Sequence, residues 1–187
     1  LLRLRLGEGI KLQTVDYGEK TQINGVKFSL HPARHALGSA QIRIEYQGEV
    51  WVVSGDYKLE DDHFCAPFES VPCHSFITEA TFALPIYKWQ PQHIVMNEIN
   101  AWHAKNKELG ITSLLTGYAL GKMQRILKNI HLDGDLIYAH GAVYSINEKL
   151  REAGYDLPPL TLVNNEVEKK RYAGALVLSP PLSTATP

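Results

Sequence analysis

Near residue 90 the hydrophobic periodicity of this chain changes, and that change constrains the fold more than any single motif. Upstream, the signals are those of β-hairpins. Residues 19–23 and 26–30 flank Asn24-Gly25, a dipeptide suited to a tight two-residue turn. Residues 41–46 alternate polar and apolar, as a half-buried strand does. Gln47-Gly48 then turns the chain into residues 50–53, a nearly continuous apolar run, and residues 75–78 form a further short strand. Downstream, strands and helices alternate. Pro91 opens a helix with Val95, Ile99 and Trp102 on one face, and Gly110 closes it. A strand over 113–115 leads to a helix over 121–130 with Met123, Ile126, Leu127 and Ile130 as its stripe. A strand over 136–138 leads to a helix over 142–153 that Gly154 ends, and residues 175–178 are a last buried strand. Alternating βα units imply a parallel sheet with right-handed crossovers. No internal repeat or low-complexity segment interrupts this plan, and Leu157-Pro158-Pro159 reads as a loop.

Composition narrows the function classes. The chain has 187 residues, 44% of them hydrophobic, enough for one large domain or parts of two. A formal net charge of −1 excludes a uniformly basic surface, so any phosphate-binding site is a local patch. The two cysteines, Cys65 and Cys73, make neither a disulfide framework nor a CxxC pair, which points to a reducing, cytoplasmic compartment. No apolar run reaches the ~18 residues of a membrane span, and no signal peptide is visible. The opening Leu1-Leu2-Arg3-Leu4, without Met, suggests a fragment or a trimmed product.

Four segments carry residues with chemical potential. In His31-Pro32-Ala33-Arg34-His35-Ala36-Leu37-Gly38-Ser39-Ala40 a strand delivers two histidines into a loop punctuated by Pro and Gly, where imidazoles suit zinc. The alternative is a pair of surface histidines. In Ser54-Gly55-Asp56 an aspartate ends an apolar strand; a poorly hydrated carboxylate there wants a cation or several N–H donors, unless it is an Asx-turn or a helix cap. Glu79, in Thr78-Glu79-Ala80-Thr81-Phe82, is a candidate acid/base or ligand-orienting carboxylate, with an ion-paired loop Glu as the alternative. Gly117-Tyr118-Ala119-Leu120-Gly121-Lys122 enters a helix whose free N–H groups and Lys122 suit phosphate, although the glycine spacing is not that of a P-loop. The alternative is a plain β-to-α turn with a solvated lysine. His140-Gly141 follows another strand and is a further candidate or a satisfied loop histidine. Lys169-Lys170-Arg171 reads as a solvated cluster.

The order and spacing of these segments resemble the metallo-β-lactamase superfamily, and within it the β-CASP nucleases. Bacterial DNA-ligase-associated exonucleases and mRNA 3′-end processing factors are the most similar branch. The resemblance runs over essentially the whole chain. It implies that His35 is the histidine of a PAGH-type metal loop, Asp56 the bridging aspartate of an SGD motif, and Glu79 the acidic residue of an EST(F/Y)G motif. It also places Lys122, Gln124 and Arg125 at a GKxQR helix start. Arg34 stands where the family usually has Gly, a residue that permits positive φ, and its bulk and charge would lie beside the metals. Ala80 and Ala83 replace the usual Ser and Gly. No HxHxDH motif is present, and neither are the later histidine motifs.

The resemblance therefore implies an α/β fold: the distal part of an αββα sandwich over residues 1–90 and an incomplete β-CASP-like domain with a parallel sheet over 91–187. In the intact family enzyme two divalent metals, Zn or Mn, activate a water for attack on a phosphodiester of DNA or RNA. His35 and Asp56 would be ligands, Glu79 catalytic, and Lys122, Arg125 and Arg34 nucleic-acid contacts. DNA ligase and a helicase are the implied partners. With so few ligands, the chain alone is expected to bind metal weakly or not at all and to lack nuclease activity. A non-catalytic nucleic-acid-binding module and another metallo-β-lactamase-fold hydrolase are the alternatives.

Overall fold

The structure, a computed structural model, describes residues 1–131, 134–164 and 169–181. The chain divides into two compact units, with the division between Lys88 and Trp89.

The first unit is a five-stranded sheet preceded by a short helix, α1 (Leu2–Leu6). Its strands are β1 (Thr21–Ile23), β2 (Val26–Pro32), β3 (Ala40–Tyr46), β4 (Glu49–Val53) and β5 (Ser75–Ile77), lying in sequence order. The first four pair antiparallel and β5 joins β4 in parallel. Both expected tight turns form, because each has two consecutive residues that reach positive φ: Asn24 (50°) with Gly25 (83°), and Gln47 (49°) with Gly48 (85°). Those turns set the register Ile23↔Val26 and Tyr46↔Glu49.

Register then sorts the side chains into two faces. Phe28, Ile44 and Trp51 share one row, and Leu30, Ile42, Val53 and Ile77 the next. The other face carries Ser29, Gln41 and Val52, all buried. The connection from β4 to β5 returns along that second face: Gln41 Nε2 donates to the Glu69 carbonyl at 2.7 Å, and the Lys58 N–H to the Ala33 carbonyl at 3.0 Å. Residues 50–53 are thus not buried throughout, since Trp51 is exposed. An antiparallel neighbourhood needs only one face covered.

The second unit is α/β. Its elements are α2 (Gln92–Glu108), β6 (Ser113–Thr116), α3 (Lys122–Asn129), β7 (Ile137–Ala139), α4 (Gly141–Glu152), β8 (Thr161–Leu162), a 3₁₀ turn (Lys169–Tyr172) and β9 (Leu176–Ser179). The four strands are all parallel in the order β6-β9-β7-β8, so the last strand is inserted between β6 and β7. The core is Met123, Ile126 and Leu127 of α3, Val143, Ile146 and Leu150 of α4, and Leu176 and Leu178 of β9. Each such side chain contributes about 1.5–3 kcal/mol by leaving water. The stripe expected on α3 is the buried one. On α2 the buried face is rotated: Met96 and His103 point inward, while Trp102 remains exposed. The two-residue β8 and the five-residue α1 are too short to carry a periodic signal.

The carboxyls of Glu45, Asp61, Glu79 and Asp156 are all held below their ordinary values. The main causes are, respectively, Arg43, the backbone N–H of His63, the backbone N–H of Thr81, and Lys128. A lowered carboxyl stabilises the fold above its unfolded pKa, and that contribution is lost as pH falls through the folded value. Stability is therefore expected to be flat near neutrality and to decline once pH drops below the ordinary glutamate value of 4.5. Urea midpoints that are equal at neutral pH and well below that value would contradict this.

Candidate metal centre

The loop after β2 is held by its own hydroxyl. Ser39 Oγ accepts the N–H groups of His35 (2.9 Å) and Ala36 (3.1 Å). The Ser39 N–H donates to the Ala36 carbonyl at 3.0 Å, and the Ala33 N–H to the Ser39 carbonyl at 3.1 Å. This fixes the loop backbone so that His35 stands outward. From β4 the chain runs through buried Ser54, whose N–H donates to the Ile77 carbonyl of β5 at 2.9 Å. Gly55 then adopts φ 56°, turning Asp56 toward the same end of the sheet.

His35 Nε2 and Asp56 Oδ2 lie 3.6 Å apart. Two ligands of one tetrahedral zinc, with bonds of about 2.1 Å, sit about 3.4 Å apart, so the pair is spaced to share one ion. Their side chains are 54% and 66% exposed. The expectation of a poorly hydrated Asp56 is thus corrected: Gly55 swings the carboxylate into solvent at the edge of a partly open sheet.

Glu79 follows β5, and its Oε2 accepts the Thr81 N–H at 2.8 Å. The carboxyl is pushed down first by that N–H and the Thr81 hydroxyl, with His35 adding a smaller attraction. Glu79 is therefore ionised at neutral pH, and close enough to feel the imidazole.

Other residues singled out in the sequence are committed elsewhere. His31 is largely buried, its Nε2 hydrogen-bonded with Ser29 Oγ and its Nδ1 2.9 Å from the Glu69 carboxylate. It is neither a surface histidine nor turned toward Asp56. Arg34 has φ 58°, the conformation a glycine there would take freely. Its side chain is only 11% exposed, donating from Nη1 to the Leu59 carbonyl at 3.1 Å, with Nη2 3.6 Å from Asp61. That engagement commits the guanidinium to Leu59 and Asp61. It also yields a test. Arg34→Gly loses those contacts but relieves about 1 kcal/mol of backbone strain, whereas Arg34→Ala loses them without relief. Arg34→Gly should be the more stable of the two variants on urea unfolding, and the opposite order would refute the strain argument.

In the second unit, Lys122 is exposed and its Nζ lies 5.3 Å from the Tyr118 ring centroid. Arg125 donates from Nε to Gln92 Oε1 at 2.6 Å. His140 caps α4 by accepting the Ala142 N–H at Nδ1. Gln124, which the resemblance places at the helix start, is wholly buried; it accepts the Gly121 N–H and donates to the Ala119 carbonyl to hold the turn before α3. Sequence reasoning missed Asp62, buried and accepting the N–H groups of Phe64 and Cys65. No local pattern marks a polar residue there for burial. Both cysteines are free, and burial, with Asp62 nearby, pushes Cys65 up to about 12, which makes it a poor nucleophile.

A probable DNA ligase of Opitutus terrae is 28% identical over 187 residues, 98% of this chain and 18% of that protein. Endoribonuclease YSH1 of Saccharomyces cerevisiae is 32% identical over 119 residues, 63% of this chain and 15% of that protein. Cleavage and polyadenylation specificity factor 73 of Drosophila melanogaster is 28% identical over 119 residues, 63% of this chain and 17% of that protein. The chain is a relative of the β-CASP metallo-β-lactamase nucleases. It spans less than a fifth of the length of these β-CASP relatives. No family model matches it. A protein of unknown function from Enterococcus faecalis V583 shares the fold, with a TM-score of 0.60 at 10% identity over 91% of this chain and 44% of that one.

The resemblance read from the sequence implies a divalent-metal site, and the residues here fit one only in part. His35 and Asp56 have the right donor atoms at the right spacing. Among the described residues, however, no three His, Cys, Asp or Glu side chains converge as a metal site. A catalytic zinc takes three protein donors.

Proposed function

We propose that this chain is part of a nucleic-acid phosphodiesterase of the β-CASP type, in which His35 and Asp56 are two ligands of a divalent-metal site that these residues alone do not complete. Residues 1–90 would be the distal part of the metallo-β-lactamase-like domain and 91–187 a β-CASP-like domain. The single observation that carries the reading is the 3.6 Å approach of His35 Nε2 and Asp56 Oδ2, from two loops at one end of a sheet. Glu79 serves best as the group that orients His35, because a carboxyl held low and bonded to Thr81 is a poor proton donor at neutral pH. Lys122, and Arg125 beyond its bond to Gln92, supply phosphate contacts. The polymer is DNA or RNA.

Arg34, standing where the resemblance implies a glycine, favours a second reading, a nucleic-acid-binding module without catalysis. The two separate in one experiment. Labelled single-stranded DNA and RNA are incubated with the chain and Mn²⁺ or Zn²⁺, and both binding and cleavage are followed. Binding that weakens with salt and no cleavage are expected of this chain alone. Metal-dependent cleavage that Asp56→Ala abolishes would show the site to be complete and overturn the proposal as stated. Calorimetry with Zn²⁺ should show at most weak binding, reduced further in His35→Ala.

A further inference from the structure

At the C-terminal end of β6 the chain makes a device that the metal site does not use. Gly117 is buried, and its N–H donates to the Ser179 carbonyl of β9 at 3.1 Å, extending the parallel ladder by one step. It does not have positive φ, so its lack of a side chain serves another end. A Cβ at Gly117 would lie 3.0 Å from Lys122 Cδ, 3.3 Å from Lys122 Cγ and 3.2 Å from Met123 Cε. The Lys122 stem therefore lies across the backbone at Gly117, in space that any other residue would fill.

That placement brings the ammonium over Tyr118, with Nζ 5.3 Å from the ring centroid, a cation–π contact. Tyr118 is 70% exposed. Its backbone is fixed on both sides. The Tyr118 carbonyl accepts the Met123 N–H at 3.3 Å, and the following turn is locked by Gln124 through Ala119 and Gly121. An exposed aromatic held on a rigid turn loses little entropy when something stacks on it. At the same rim, His140 follows β7, level with Ser179 because Ala139 pairs with Leu178. With Nδ1 accepting from Ala142, its Nε2 carries the proton as a donor when the ring is neutral.

We propose that Tyr118 and Lys122 form a platform for one nucleotide of a single strand, the ring stacking on the base and Nζ pairing with the adjoining phosphate. The chemistry selects a single strand because a stacking face needs an unpaired base, while a lysine alone would hold duplex as well. This rests on the nucleic-acid reading given above and narrows its substrate class.

The test measures fluorescence anisotropy of a labelled oligothymidylate and of a duplex of the same length, with no metal added. Tyr118→Ala should weaken single-strand binding by about 5- to 100-fold and leave duplex binding nearly unchanged, while Tyr118→Phe keeps the wild-type affinity. Lys122→Ala should weaken both and lower the dependence of log affinity on log salt by about one unit. If the chain binds the oligothymidylate and Tyr118→Ala does so equally well, the platform is refuted and the wider nucleic-acid reading stands. Equal losses for single strand and duplex in Tyr118→Ala, with Tyr118→Phe no better, would also refute it. If the unaltered chain binds neither polymer, both readings fall.

Discussion

Leu178→Ala is expected to cost about 2–5 kcal/mol and to melt the parallel sheet of the second unit. The side chain is fully buried on β9, the strand inserted between β6 and β7, and it pairs in register with Leu115 on one side and Ala139 on the other. Truncation there opens a cavity that neither neighbour can fill, because both are themselves strand residues held by ladder hydrogen bonds. Met123 of α3 and Val143 of α4 likewise have no exposed area. Since whole domains are stable by only about 5–15 kcal/mol, the loss removes a large part of the margin. Amide hydrogen exchange gives the most specific reading: β6, β7 and β9 should lose most of their protection. Protection at β6 and β7 equal to that of the unaltered chain would mean that β9 is not the keystone of this sheet.

Much of the fold was legible because it rests on local chemistry. Asn24-Gly25 and Gln47-Gly48 specify turns by the φ values they tolerate, and a two-residue turn fixes the register of everything that follows. The α3 stripe was legible for a similar reason: four apolar residues at helical spacing leave only one face to bury. What escaped was set by distant partners. Nothing near Asp56 says that Gly55 will turn the carboxylate into solvent rather than under the sheet. Nothing near Arg34 says that its guanidinium will reach Leu59 and Asp61, 25 and 27 residues on. The candidate site was half legible in the same sense. His35 and Asp56 are 21 residues apart, and only the pairing of β2, β3 and β4 brings their loops together. Ser39, which holds the first loop, does so through hydrogen bonds that the sequence does not display.

The clearest separation of periodicity from packing lies on α2, where His103→Ala should cost about 3 kcal/mol and Trp102→Ala about 1 kcal/mol or less. Apolar spacing alone puts Trp102 on the inner face with Val95 and Ile99. In the fold Trp102 is 40% exposed and His103 only 5%. The rotation by one residue follows from polar partners that the helix must meet. His103 Nδ1 shares a hydrogen bond of 2.9 Å with the buried Ser113 hydroxyl of β6. Its Nε2 lies 3.3 Å from the Asp135 carboxylate, which also pairs with Lys107 one turn along. Asn106 donates to the same Ser113 oxygen at 3.1 Å. A buried serine and a largely buried aspartate need such partners, so α2 is oriented to satisfy them and the indole is turned outward. His103→Leu divides the two contributions. It keeps the buried volume but strands Asp135 and weakens the setting of Ser113, so a loss of about 1–3 kcal/mol should remain. Urea denaturation of the three variants decides the matter: a costlier Trp102→Ala, or a His103→Leu protein as stable as the original, would show that apolar packing orients this helix after all.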